Sequence, residues 1–101
     1  MKTFTKNELS KFDGNDPDSP VYLAIKGIVF DVSSNRKMYA PGQGYSVFAG
    51  KDASKALGKS SLKPEDCVED YSGLSKDELA VLEKWVDFYK KKYPVIGELI
   101  K

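Results

Sequence analysis

Two tyrosines, Tyr39 and Tyr45, stand six positions apart in the stretch RKMYAPGQGYSVFAGKDASKALGKS, residues 36–60, and Gly42, Gly44 and Gly50 punctuate the loop that carries them. A glycine-rich loop first raises phosphate binding. The segment has neither a P-loop lysine followed by Ser or Thr nor a G-x-G-x-x-G opening a helix after a parallel strand, so nucleotide binding is not supported. Glycines without a Cβ instead let a backbone turn sharply and approach something flat, which makes this loop a candidate wall of a slot. The chain contains no histidine, and that removes the commonest general base and metal ligand. Serine-hydrolase, zinc and histidine-ligated haem chemistry all lose their usual residue. Cys67 has no obvious neighbour to lower its thiol pKa and reads as structural. No paired acid and base is identifiable, so the sequence reads as a non-enzyme.

Composition narrows the partners. With 101 residues, 41% of them hydrophobic, the chain has the size of one domain with a modest core, and residues 1–101 are read as that single domain. Sixteen Lys and Arg against fifteen Asp and Glu leave a net charge of +1, too small a field to steer nucleic acid or an anionic membrane. A lone cysteine excludes an internal disulfide, and no signal sequence opens the chain, so a soluble intracellular protein, cytoplasmic or nuclear, is expected. The longest apolar run, VYLAI, falls far short of the roughly 20 residues that span a bilayer.

The elements that must position the loop carry their own signals. Thr5 and Glu8 have capping-box spacing and Phe4 and Leu9 staple spacing, predicting a short helix over residues 6–12. DGNDPDSP reads as a loop, and VYLAIKGIVFDV as two strands joined at Lys26-Gly27, with Ile28, Phe30 and Val32 on one face. Asp52 as N-cap and Gly58 as C′ residue bound a helix over 53–57, whose Lys55 and Lys59 would lie in solvent, and Pro64 begins a further helical turn. Ser75 and Glu78 repeat the capping box, and Leu74 and Leu79 the staple, ahead of the stripe Leu79, Leu82, Val86, Tyr89, Tyr93 flanked by Val81, Trp85 and Phe88. A long helix over 76–91 follows, ended by Pro94 near Lys92. The architecture is α+β: a small hairpin-containing sheet, several short helices and a longer C-terminal helix. In these terms Tyr93 completes the helix stripe, and Lys92 belongs to a lysine run at the helix end, favoured by the dipole.

The stretch KMYAPGQGYSVFAGKDASKAL, with VYLAIKGIVFDVS before it and KKYPVIGEL after it, resembles the cytochrome b5-like domain of the membrane-associated progesterone receptor family over about residues 3–100. That likeness implies a cytochrome b5-like fold and a haem ligation without histidine. It implies that Tyr45 supplies a phenolate to haem iron with the opposite face open, that Tyr39 hydrogen-bonds to Tyr45, and that Lys92 and Tyr93 hold the haem edge. A phenol with a pKa near 10 can be deprotonated by ferric ion, and an anionic oxygen ligand favours ferric iron. Reversible carriage of haem b or sensing then fits better than electron shuttling. Gly44 stands where the resemblance leads us to expect proline, and Pro94 where it does not.

Two functions follow from the resemblance. One is a haem-binding and steroid- or sterol-binding adaptor, the two ligands competing for one flat apolar slot, with an open haem face that would permit a haem-dependent homodimer. The other is a haem-independent interaction module that regulates haem-thiolate monooxygenases or sterol-metabolising enzymes.

Overall fold

The sheet runs in the order β1-β4-β3-β2, built from β1 (Lys2–Phe4), β2 (Tyr22–Ile25), β3 (Ile28–Asp31) and β4 (Val95–Leu99). The computed structural model describes residues 2–100, so Met1 and Lys101 of the expected 1–101 domain lie outside the described residues. β2 and β3 form the expected hairpin, with Lys26 at φ 52° and Gly27 at φ 78°, the double positive φ of a two-residue type I′ turn. Ile28, Phe30 and Val32 lie on the same core, as period two requires.

The outer strand β1 and the strand β4 between it and the hairpin carry no signal strong enough to predict them. β1 is three residues long and pairs parallel with β4, and a Cβ built on Gly97 would come 2.4 Å from the Lys2 carbonyl oxygen. Close approach of two backbones, rather than alternating hydrophobicity, makes this pair. The opposite edge, β2, is closed by an isolated bridge from Ala24 to Asp52.

α1 spans Lys6–Ser10, with Glu8 N–H on Thr5 Oγ1 at 3.1 Å and Thr5 N–H on Glu8 Oε1 at 2.9 Å. It stops two residues before the predicted end. The Lys11 and Phe12 amides reach back only three residues, at 3.2 and 3.0 Å, while the Phe12 ring turns 4.5 Å from Tyr22 and 6.2 Å from Phe4. With Leu9, Ala24 and Val29, those rings fill a small core on one face of the sheet.

The larger core, on the other face, is covered by α2 (Arg36–Tyr39), α3 (Ser54–Gly58) and α4 (Lys76–Lys92). α4 opens with Glu78 N–H on Ser75 Oγ at 3.2 Å and Ser75 N–H on Glu78 Oε1 at 2.9 Å. Leu82, Val86 and Tyr89 are buried along it, and so is Tyr93, already extended in front of Pro94. Leu79 departs from the stripe and is exposed.

α3 corrects the expected caps. Asp52 accepts from the Ser54 amide at 2.9 Å, from the Ser54 hydroxyl and from the Gly27 amide at 3.1 Å, so it ties the hairpin turn to α3 while Ala53 takes the N-cap position. Burial, opposed by these bonds, raises the Asp52 carboxyl. At the other end Ser60, at φ 53°, is the C′ residue: its amide reaches Leu57 O at 3.2 Å, and the Ser61 amide reaches Ala56 O at 2.8 Å. Gly58 is a packing glycine instead, since a Cβ there would sit 2.4 Å from Leu74 Cδ1. Lys55 is half-buried rather than solvated and lies 3.9 Å from Asp66, while exposed Lys59 lies 3.8 Å from Glu78.

Candidate functional site

The glycine-rich loop is wound rather than extended. α2 turns Tyr39 inward, to 2% exposure, then Ala40 breaks the helix and Gly42, at φ 84°, lets the chain double back. The Gln43 amide closes onto Ala40 O at 3.0 Å and the Tyr45 amide onto Met38 O at 2.9 Å. Tyr45 emerges from this coil 37% exposed, its ring 5.8 Å from that of Tyr39 and stacked 5.8 Å from Phe48 at 21°. A Cβ built on Gly42 or Gly44 meets nothing within 4 Å outside their chain neighbours, so these two positions of the loop face open space.

Behind Tyr45 lies a cavity of about 160 Å³. Tyr45 and Phe48 form its loop wall, Ala56 and Leu57 of α3 its side, and Trp85 and Tyr89 of α4 its far wall. Tyr89 is held by rings on several sides: Phe30 at 5.6 Å, Trp85 at 6.1 Å and Tyr93 at 5.3 Å. Its hydroxyl lies 2.7 Å from the hydroxyl of Tyr39. Burial raises both phenols, Tyr39 strongly and Tyr89 to about 12. The two hydroxyls share one hydrogen bond, for which either oxygen is able to act as donor. Tyr93 completes the group, accepting from Asn35 Nδ2 at 2.9 Å.

The four predicted site residues therefore occupy different places. Tyr45 lines the cavity mouth, whereas Tyr39 and Tyr93 stand behind it as buried hydrogen-bonded phenols. The hydroxyl contact of Tyr39 is to Tyr89 rather than the implied bond to Tyr45. Lys92 is exposed at the helix end, its ammonium 5.4 Å from the Phe88 ring centre and 5.7 Å from that of Tyr93. Tyr89 and Trp85 were expected only as packing residues. The available signal was chemical: Tyr89 is a residue able to hydrogen-bond within a stripe otherwise aliphatic as far as Tyr93, and a buried tyrosine hydroxyl needs a partner.

A second, more open groove of about 820 Å³ lies around Thr5, the Lys26-Gly27 turn, Tyr71 and Ile100. It contains none of the predicted site residues, and its ammonium groups are paired, Lys6 with Glu69 at 2.9 Å and Lys26 with Glu83. The phenol-lined cavity, though smaller, is the one that Tyr45 lines, with aromatic walls from Phe48, Trp85 and Tyr89. Among the described residues no helix is long and apolar enough to cross a membrane.

Comparison with known proteins gives a consistent result. The family model described as Cytochrome b5-like Heme/Steroid binding domain matches residues 5–100. The rice protein Membrane steroid-binding protein 2 is 47% identical over 97 residues, 96% of this chain and 37% of that protein. The Arabidopsis thaliana protein named Probable steroid-binding protein 3 is 45% identical over 97 residues, 96% of this chain and 97% of that one. A solved A. thaliana structure, described as having a cytochrome b5 like fold, superposes with a TM-score of 0.91 at 44% identity, covering 100% of this chain and 93% of the other. The chain thus spans about a third of the rice relative's length and nearly all of one Arabidopsis relative's.

Proposed function

The chain belongs to the cytochrome b5-like haem/steroid-binding domain family, in its membrane-associated progesterone receptor branch, and on that footing we propose that residues 1–101 form one binding module whose ligand sits at the Tyr45 cavity. The cytochrome b5-like fold comes with that membership. The ligand in this reading is haem b, with Tyr45 as the iron ligand, or a steroid or sterol occupying the same apolar space.

The observation that carries the reading is the setting of Tyr45. It is an exposed phenol at the mouth of an aromatic-walled cavity, on a loop whose Gly42 and Gly44 face open space. The donor chemistry fits the group: in a chain without histidine, a phenol supplies the anionic oxygen that ferric iron accepts. The cavity, about 160 Å³ and open to solvent, is below the roughly 300 Å³ at which cofactor pockets begin, so it would hold only part of a flat cofactor. When bound, haem would supply a ferric centre of low reduction potential. In this assignment Tyr93 stiffens the wall behind the cavity, and Lys92 reaches an anionic ligand edge from the rim.

The test is a haem titration of wild type beside Tyr45→Phe, read by ferric absorption spectroscopy. A saturable tyrosinate-type spectrum, lost in the variant, is expected. Saturable binding with the same spectrum in Tyr45→Phe would remove Tyr45 as ligand. The small cavity volume also favours a second reading, in which the module works without haem by contacting monooxygenases or sterol enzymes. A wild-type protein that stays colourless in excess haem would point there. Haem-dependent dimerisation belongs to the first reading and predicts a second sedimenting species only with haem.

A further inference from the structure

The groove of about 820 Å³ beside the hairpin turn shares no lining residue with the Tyr45 cavity, and its volume lies within the roughly 300–1,000 Å³ of ligand-holding clefts. Ile28, Leu99 and Ile100, where the start of β3 meets the end of β4, give it an apolar side, and Tyr71 an aromatic one. Four carboxylates line it, Asp52, Glu69, Asp70 and Glu98, against two ammonium groups, Lys6 and Lys26. Lys26 turns its ammonium to Glu83 on α4, and Asp52 is committed to Ser54 and Gly27. The balance left in the groove is Glu69, Asp70 and Glu98 against Lys6, which suits a cationic occupant.

Glu69 is incompletely bonded. Its Oε1 takes the Lys6 ammonium at 2.9 Å, while Oε2 is buried and has no hydrogen-bond partner among the described residues. The bond from Lys6 holds the carboxyl below its ordinary range, so the group is ionised at neutral pH. A carboxylate oxygen deprived of both water and a donor is costly, and an ammonium, a point donor, serves only one of the two oxygens. A guanidinium presents two parallel N–H groups and serves both. Lys6 is 69% exposed, in a surface pair of little energetic worth, and is readily displaced. Tyr71 already holds the Lys26 ammonium 5.7 Å from its ring centre, so this wall accepts cations. Ile100 is 44% exposed, and covering it takes apolar surface that a free guanidine lacks.

We propose that this groove docks a segment of another protein in which one arginine stands between apolar side chains: the guanidinium displaces Lys6 and pairs with both oxygens of Glu69, while the flanking side chains cover Ile28, Leu99 and Ile100. The assignment needs neither reading of the Tyr45 cavity.

The experiment titrates the ¹⁵N-labelled chain with the pentapeptide acetyl-Ala-Leu-Arg-Leu-Ala-amide and follows the backbone amides of Ile28, Leu99 and Ile100. Saturable shifts are expected there, with the Tyr45 amide unmoved. Neutral citrulline in place of the peptide's arginine, or Glu69→Gln in the protein, should each weaken binding about tenfold or more, the worth of a hydrogen bond to a charged group. Lys6→Ala should bind the peptide a few-fold tighter, because the competitor for Glu69 is gone. The amide spectrum without peptide reports that each variant keeps the fold. Unmoved groove amides, or equal affinity in wild type and Glu69→Gln, overturn the proposal. A lysine peptide that binds as tightly as the arginine peptide would make the groove a general attractor of cations. N-acetylarginine amide binding as tightly as the pentapeptide would make the occupant a small guanidine and not a chain segment. Either of these results also overturns the assignment.

Discussion

On one side of the cavity the segment from Ala40 to Phe48 presents Tyr45 from a coil held by single backbone bonds, with Gly42 and Gly44 facing empty space. On the other side α4 presents Trp85 and Tyr89 from 17 helical residues, started by a reciprocal cap and packed near α3, where a methyl group on Gly58 would meet Leu74 Cδ1, just before α4, at 2.4 Å and Glu78 O at 3.3 Å. Both walls contain glycine, for opposite reasons. In the loop, glycine keeps space for something else; in α3, it gives space up to Leu74. The contrast assigns stability to the helical wall and presentation to the loop, because stability follows buried contacts and the loop has few.

The largest expected effect breaks the helical wall. Leu82 is fully buried on α4, and Leu82→Ala should cost about 2–5 kcal/mol in urea unfolding. Tyr45→Phe, at an exposed loop position, should cost no more than about 0.5 kcal/mol. Equal costs would erase the distinction between the walls.

A smaller effect separates the buried phenols by pH. Tyr89 is raised from the ordinary 10.0 to about 12, chiefly by burial. The neutral form is thus favoured in the folded state, so its contribution to stability is fully present below pH 10 and is lost as pH rises from 10 to about 12. Two units correspond to roughly 2–3 kcal/mol. Urea unfolding at pH 9 and pH 11.5 should show wild type losing more stability between those points than Tyr89→Phe does. Parallel losses in the two proteins would mean that Tyr89 does not hold its proton in the folded state.

How much of this could be read from the residues follows the same division. The capping boxes at Thr5 and Ser75, the hairpin at Lys26-Gly27 and the buried α4 positions depend on neighbours within a few residues, and all were legible. β1 and β4 were not, because their pairing depends on Gly97 meeting Lys2 across nearly the whole chain. Gly58 looked like a C′ glycine because its partner, Leu74, lies sixteen positions away, and Ser60 took the left-handed turn instead. At the site, Tyr45 was singled out by its loop and a family resemblance. Tyr89 was hidden inside a hydrophobic period, since periodicity reports which face is buried and says nothing of where a hydroxyl points.

The two glycines give the smallest and sharpest test of the contrast. Gly44 lies outside the left-handed region, and its added Cβ would touch nothing, so Gly44→Ala should stabilise the protein by about 0.4–1 kcal/mol through a less flexible unfolded chain. Gly58→Ala drives a methyl group to 2.4 Å from Leu74 Cδ1 and 3.3 Å from Glu78 O, an overpacking that should cost about 1–3 kcal/mol despite the better helix propensity of alanine. The same substitution on two walls should therefore move the urea midpoint in opposite directions. If Gly44→Ala also destabilises, the space beside Tyr45 is not free in solution, and the loop is packed by contacts of its own. If Gly58→Ala is neutral, Leu74 moves aside at little cost, and the helical wall is less rigid than its caps and buried stripe imply.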